Sequence, residues 1–259
     1  MATLTHVDTA CVLLELGGWR LLTDPVFDPP GRRYHFGWGA LSRKVGAPAL
    51  SPAAIGAVDA VLLSHHQHAD NLDDAGAAFA RSAPLVLSTT AGARTLPNAR
   101  GLSPWTRHQL AAAGRPDLQI TATPAQHHPG WLPELLSGPV VGFLLESPAL
   151  PRGPLYLTGD TMLFDGVREV ARKGPVDALV IHVGGVRFPW LTGRARYTFD
   201  AAEAVEVARL TRARLVVPVH TSGWTHFREG LEPLRRAFAD AGLADRLRVP
   251  VPGQPLDLG

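Results

Sequence analysis

One cysteine, Cys11, stands in 259 residues, so no disulfide forms within the chain and no thiolate cluster holds a metal. A metal bound here must be taken by histidine and carboxylate. An excess of charge of one sign is missing too: 25 Lys and Arg face 23 Asp and Glu, a formal +2, which excludes the basic stripe that grips nucleic acid. Lysine is scarce, with Lys44 and Lys173 the only two, so basic charge is almost all arginine. No run approaches the length of apolar chain that spans a bilayer, and the apolar stretch from Ala10 stops at Glu15 without a basic leader before it. The expectation is a soluble, cytoplasmic protein without a membrane span. With 46% hydrophobic residues, no low-complexity linker and no fixed-period repeat, the chain is expected to form a single domain over residues 1–259.

What is present alternates. Thr3 to Asp8, Ala10 to Leu16 and Trp19 to Asp24 read as an antiparallel opening with Gly17-Gly18 as a turn. Pro25 to Leu50 reads as a long irregular loop whose aromatics, Tyr34 to Trp38, are placed to cover a site or seal an edge. From Ser51 short β-rich runs alternate with Ala-rich helical segments, and Ile120 to Thr123 and Val140 to Glu146 add strands between the halves. Roughly ten strands are too many for one comfortable open sheet, which makes two packed sheets with helices outside the natural α/β solution.

Several strands end in metal-capable side chains. Val61 to Ser64 runs into His65-His66-Gln67-His68-Ala69-Asp70, Ile120 to Pro124 into His127-His128, Tyr156 to Gly159 into Asp160, and Val216 to Val219 into His220. Asp24 and His182 end strands in the same way. If those ends share one edge, the side chains converge on one cavity. In His66-x-His68-x-Asp70 an alternating chain points two imidazoles and a carboxylate the same way, so His66 is preferred to His65 as a ligand. Metal binding explains so many histidines better than acid-base catalysis or a nucleophilic triad, because carboxylates complete two-metal sites in which a hydroxide forms near neutral pH.

Asp24, the Ser64 to Asp73 segment, His127 in Thr-Pro-Ala-Gln-His, Asp160 in Leu-Thr-Gly-Asp-Thr and His220 in Val-Pro-Val-His resemble the five ordered motifs of the metallo-β-lactamase superfamily, over a span from about Thr3 to about Arg248. Within it, the Tyr-Leu-Thr-Gly-Asp-Thr stretch and the late Pro-Val-His are similar to the branch holding ascorbate-6-phosphate lactonase and the N-acyl phosphatidylethanolamine phospholipase D type enzymes. The resemblance implies a four-layer αβ/βα sandwich of two mixed sheets, with His66, His68 and His127 on one metal and Asp70, Asp160 and His220 on the other. Asn71 stands where the family has imidazole. A neutral amide there is expected to weaken the second site and turn it from zinc toward manganese or iron. His65 and His128 are assigned to supporting positions, and Asp24 to holding a ligand histidine. The resemblance also implies a homo-oligomer as an admissible state.

On the substrate side, Arg187, Arg194 and Arg196 lie in a loop placed to overhang the metals, where guanidinium groups would grip an anionic substrate. Trp224 is expected to line the pocket. His226 and His182 are candidates for moving a proton, beside Asp70 and Asp160 in the catalytic set. The reading is a metal-dependent hydrolase acting on a small-molecule lactone, ester or phosphodiester. Its rivals are an iron-dependent oxidoreductase resembling the superfamily's sulfur dioxygenases, and a metal-binding protein without catalysis.

Overall fold

The structure, a computed structural model, describes residues 2–37, 39–131 and 137–259. Trp38, expected with its aromatic neighbours over the site, lies outside the described residues. The chain opens with β1 (Ala2–Asp8), β2 (Cys11–Leu16) and β3 (Trp19–Thr23), antiparallel in turn. The long loop that follows is not wholly irregular. It carries a small hairpin, β4 (Arg33–His35) and β5 (Leu41–Arg43), before the short helix α1 (Pro52–Ile55). Next come β6 (Ala60–Leu62), α2 (Asp74–Ser82), β7 (Val86–Thr89) and β8 (Ala99–Leu102). The second half holds β9 (Arg107–Leu110), β10 (Leu118–Pro124), β11 (Val141–Glu146), β12 (Leu155–Leu157), α3 (Asp165–Arg172) and β13 (Ala178–His182). It continues with α4 (Pro189–Thr192), α5 (Ala201–Leu210), β14 (Leu215–Val219), α6 (Leu231–Asp240) and β15 (Pro255–Asp257).

Two mixed sheets result, ordered β15-β1-β2-β3-β6-β7-β8 and β14-β13-β12-β11-β10-β9. Their strands alternate in facing. Leu14, Leu21 and Leu62 of the first sheet meet Ile120, Phe143, Val180 and Val217 of the second in one inner core. Val61, Leu63 and Val86 turn the other way, onto Ile55, Ala80 and Phe79 of α1 and α2, while Leu179, Ile181 and Val216 pack on Val167, Val207, Leu234 and Phe238 of α3, α5 and α6. Helices therefore cover both outer faces, giving the four-layer αβ/βα sandwich. Each large aliphatic chain so enclosed contributes about 1.5–3 kcal/mol. Among the described residues no helix is long and apolar enough to cross a membrane.

Two helix starts are fixed by carboxylates. Asp73 accepts from the Gly76 N–H at 2.8 Å to cap α2, and Asp200 accepts from the Glu203 N–H at 2.9 Å to cap α5. Gly76 is forced by its neighbour, since a Cβ there would stand 1.7 Å from the Pro25 carbonyl oxygen. This close approach locks α2 against the loop leaving β3.

Strand direction then positions the site. β3 runs parallel to β6, and β12, β13 and β14 run parallel to one another. β10 is antiparallel to β11, which is antiparallel to β12, so β10 points the same way as β12. The C-terminal ends of all six strands lie along one rim of the sandwich. Asp24, His65, His127, Asp160, His182 and His220 follow or end these strands.

Candidate metal centre

Two clusters of buried side chains meet at that rim: His65, His68 and His127, and beside them Asp70, Asp160 and His220. In the first, His68 Nδ1 lies 3.0 Å from His65 Nε2 and 3.2 Å from His127 Nε2. His127 Nδ1 donates to the Tyr197 carbonyl at 2.7 Å, and His65 Nδ1 lies 3.0 Å from Ser64 Oγ. Those outer bonds hold the rings and turn the Nε2 lone pairs inward. Burial pushes all three imidazoles below their ordinary range, to about 4 at His68 and His127, so they are neutral near pH 7. Three neutral rings aimed at one point suit a cation: nitrogens around one tetrahedral zinc stand about 3.3 Å apart when each bond is about 2.0–2.1 Å.

In the second cluster His220 Nε2 lies 3.2 Å from Asp70 Oδ2 and 3.5 Å from Asp160 Oδ2, while its Nδ1 donates to the Val183 carbonyl at 3.1 Å. Burial opposes charge on His220, yet the carboxylates of Asp160 and Asp70 outweigh it and push the ring up to about 9. Burial would likewise raise the Asp70 carboxyl, but hydrogen bonds from His220 and His226 hold it well below the usual carboxylate range. A positive charge is thus demanded at this spot, and a metal ion satisfies the demand better than a proton. Asp160 joins the clusters, its Oδ2 also lying 3.9 Å from His127 Nε2. Its Oδ1 is buried without a partner, an orphaned acceptor facing a donor set suited to a divalent ion.

The backbone is bent to deliver these groups. Asp24 and His220 both have positive φ, 35° and 60°. Such strain persists only where the surroundings over-determine it. Here His220 N–H donates to the Thr9 carbonyl at 2.7 Å, and Gly184 passes so close that a Cβ would meet the His220 carbonyl oxygen at 2.4 Å.

Several expectations are corrected. His66 is outside both clusters: it is half-buried, its Nδ1 has no partner, and His65 takes the converging place. Two-residue alternation belongs to extended chain, but β6 ends at Leu62 and the segment from Ser64 onward is bends and turns, with the Asn71 and Leu72 N–H groups bonded back to the His68 carbonyl. A spacing of three then brings His65 and His68 together. His128 turns away and bonds the Pro129 carbonyl. Asp24 Oδ1 accepts from the Ser64 N–H at 2.7 Å, holding the turn that bears His65. His182 lies behind His220, ring centroids 6.1 Å apart, with Nδ1 at 3.2 Å from Thr158 Oγ1 and Nε2 at 3.6 Å from Asp24 Oδ2. It does not line the cavity.

Trp224 is corrected as well. It is buried against Tyr34 and Phe36, and its indole N–H donates to Thr9 Oγ1 at 3.2 Å. The arginines of the 187–196 loop do not line the cavity. Arg196 is ion-paired with Asp200 and with Glu203, Arg187 faces Glu229 at 3.8 Å, and Arg194 is exposed and does not line the cavity. Carboxylates thus neighbour Arg187 and Arg196, while Arg194 faces away from the cavity lining.

Asn71 is fully buried between the carboxylates. With its amide nitrogen turned toward them it donates to Asp70 Oδ1 at 3.2 Å and Asp160 Oδ2 at 3.3 Å. His226 lines the cavity and lies 3.1 Å from Asp70 Oδ2 through Nε2 and 2.6 Å from Ser42 Oγ through Nδ1. Above the clusters opens a cavity of about 270 Å³ whose walls are Phe36, Val186, Phe188, Leu191 and Tyr197. Reading the 187–196 loop for its arginines hid Phe188 and Leu191; the uncharged run Phe188-Pro189-Trp190-Leu191 was the available signal.

A family model described as the beta-lactamase superfamily domain matches residues 19–221. The chain belongs to the β-lactamase superfamily. A metal-dependent hydrolase of Caldivirga maquilingensis is 24% identical over 100% of this chain and 99% of its own length. Among solved structures, an isothiocyanate hydrolase from Delia radicum gut bacteria superposes with a TM-score of 0.81 at 20% identity, covering 98% of both chains. A possible metal-dependent hydrolase from Veillonella parvula gives 0.82 at 19%, covering 99% of both. At these identities the solved structures speak for the sandwich, which the superfamily member described here shares.

Proposed function

We propose that this β-lactamase superfamily domain, taken as one unit over residues 1–259, is a metal-dependent hydrolase. The observation that carries the reading is the meeting of the two clusters through Asp160, beside a cavity floored by His68, Asp70 and His127 of those clusters. His65, His68 and His127 would hold one divalent ion, and Asp70, Asp160 and His220 a second. Bound there, such ions supply a water activated near neutral pH and a Lewis acid for the bond being cut, in a lactone, an ester or a phosphodiester. The similarity to curated metal-dependent hydrolases supports the same reading.

The chain's own groups do the rest. Tyr197 and Ser64 hold the rings of His127 and His65, and Asp24 fixes the turn bearing His65. His226, hydrogen-bonded between Asp70 and Ser42 and facing the cavity, orients the Asp70 carboxylate and stands where a leaving group would collect a proton. Asn71, spending its donors on the two carboxylates, lowers their basicity, and we propose manganese or iron before zinc in the second site.

Elemental mass spectrometry on protein purified without added metal tests the assignment. The expected result is close to two ions per chain in the parent and in His66→Ala, and loss of at least one in His65→Ala. Equal metal in all three proteins would exclude the His65 assignment, and no metal in any would exclude the hydrolase reading.

A further inference from the structure

Among the described residues the walls of the cavity are uncharged. Phe36, Val186, Phe188 and Tyr197 form them with Leu191 at the mouth, and the imidazoles and carboxylate of the lining, His68, Asp70, His127 and His226, all sit on the floor. No Lys or Arg lines the cavity among the described residues, and the sequence has neither at position 38 nor over 132–136. Of the guanidinium groups in the 187–196 loop, Arg196 is ion-paired with Asp200 and Glu203, Arg187 faces Glu229 at 3.8 Å, and Arg194 is exposed away from the cavity lining. Phe188 also lies stacked on His226, at 5.3 Å and 11°, which keeps an apolar face over the floor. An anionic group carried away from the bond being cut would lose its water against these rings and find no counter-charge. The volume, about 270 Å³, falls below the roughly 300–1,000 Å³ of ordinary ligand pockets and leaves no room for a long acyl chain.

We propose that the cavity selects a small, uncharged, largely apolar ester or lactone and rejects substrates bearing a phosphate or carboxylate remote from the reacting carbon. The reaction rests on the hydrolase reading; the selection rests on the walls alone. In the step concerned, the acyl carbon–oxygen bond breaks, a bond to a water oxygen replaces it, and a proton of that water ends on the departing alcohol oxygen. Nothing beyond water is consumed.

A matched pair tests the selection on the protein as purified. Methyl 4-methylpentanoate and monomethyl succinate share a methyl ester and differ by an isopropyl group in place of a carboxylate. The expected kcat/KM ratio favours the neutral ester by about tenfold or more, since a desolvated, unpaired charge is penalised at least as heavily as a missing methylene. Leu191→Arg, a change at a position 42% exposed at the mouth, is expected to narrow that ratio by assisting the anionic ester. A ratio near one, or one favouring the succinate, overturns the proposal. Binding of 4-methylpentanamide against succinamate, followed by NMR titration, separates the two readings. Preferential binding of the neutral amide without hydrolysis of either ester would sink the hydrolase reading and keep the selection, while equal or tighter binding of succinamate would sink the selection whatever the turnover.

Discussion

Asp160→Ala is expected to lose metal and activity together, with hydrolysis falling by about a hundredfold or more, the scale of removing a group that organises charge at a reacting centre. Asp160 reaches both clusters, 3.5 Å from His220 Nε2 and 3.9 Å from His127 Nε2 through the same oxygen. Removing it takes a carboxylate from the second cluster and leaves His220 with Asp70 alone. Activity and metal content measured on one preparation decide the point. If Asp160→Ala keeps full turnover, the cluster is not the reacting centre; if it loses turnover but keeps all its metal, the carboxylate acts on substrate and not as a bridge. Fold loss is not expected to confuse the result, because the strand before Asp160 is held by its neighbours on both sides and the Asn71 amide that donates to Asp160 Oδ2 keeps Asp70 Oδ1 as an acceptor.

Why so much of this site could be read in advance follows from how the strands run. Hydrophobic runs such as Val61-Leu62-Leu63 and Val216-Val217 are buried strands, and a polar residue after each must emerge at a strand end; once the strands are parallel those ends share a rim. The turn after β6 could not be read this way, since whether His65 or His66 faces inward depends on where the extended chain stops, and Leu63 reads as strand while bonding as its end. The arginine loop failed for another reason. Charge was visible in the sequence, but the partner of Arg187 comes from residue 229, and no local pattern announces a pairing across more than forty positions. The edge strands β8, β9 and β15 were not legible either, because Ala-Arg-Gly-Leu, Arg-His-Gln-Leu and Pro-Leu-Asp lack β-branched residues and depend on a neighbour for their conformation. Among the Ala-rich segments, 91–96 forms only a 3-10 turn at Gly92–Arg94.

Lys44→Met is expected to destabilise the protein by about 3–5 kcal/mol, the cost of removing one partner from a buried ion pair, and to lower Tm by roughly 10 °C or more for a chain of this size. Lys44 is fully buried, with Nζ 2.9 Å from Asp8 Oδ2 and 3.1 Å from Asp73 Oδ2. Asp8 ends β1 beside Thr9, whose carbonyl holds the strained backbone of His220. Asp73 caps α2 and accepts from the N–H groups of Phe27 and Asp28. Lys44 itself follows the hairpin that brings Phe36 to the cavity. One ammonium group therefore joins the first strand, the second helix and the cavity wall. In a chain whose cations are almost all arginine, a lysine here has a physical reason: a compact ammonium fits between two enclosed carboxylates where a planar guanidinium would need more space. Lys44→Arg is accordingly expected to destabilise too, by less than Lys44→Met. Adding Asp8→Asn to Lys44→Met removes one of the two stranded charges and is expected to restore part of the loss. Thermal unfolding of the three variants checks the argument, and a Lys44→Met protein that melts within about 2 °C of the parent, less than 1 kcal/mol by the same scaling, would show that the buried cation is dispensable to the frame that holds the site.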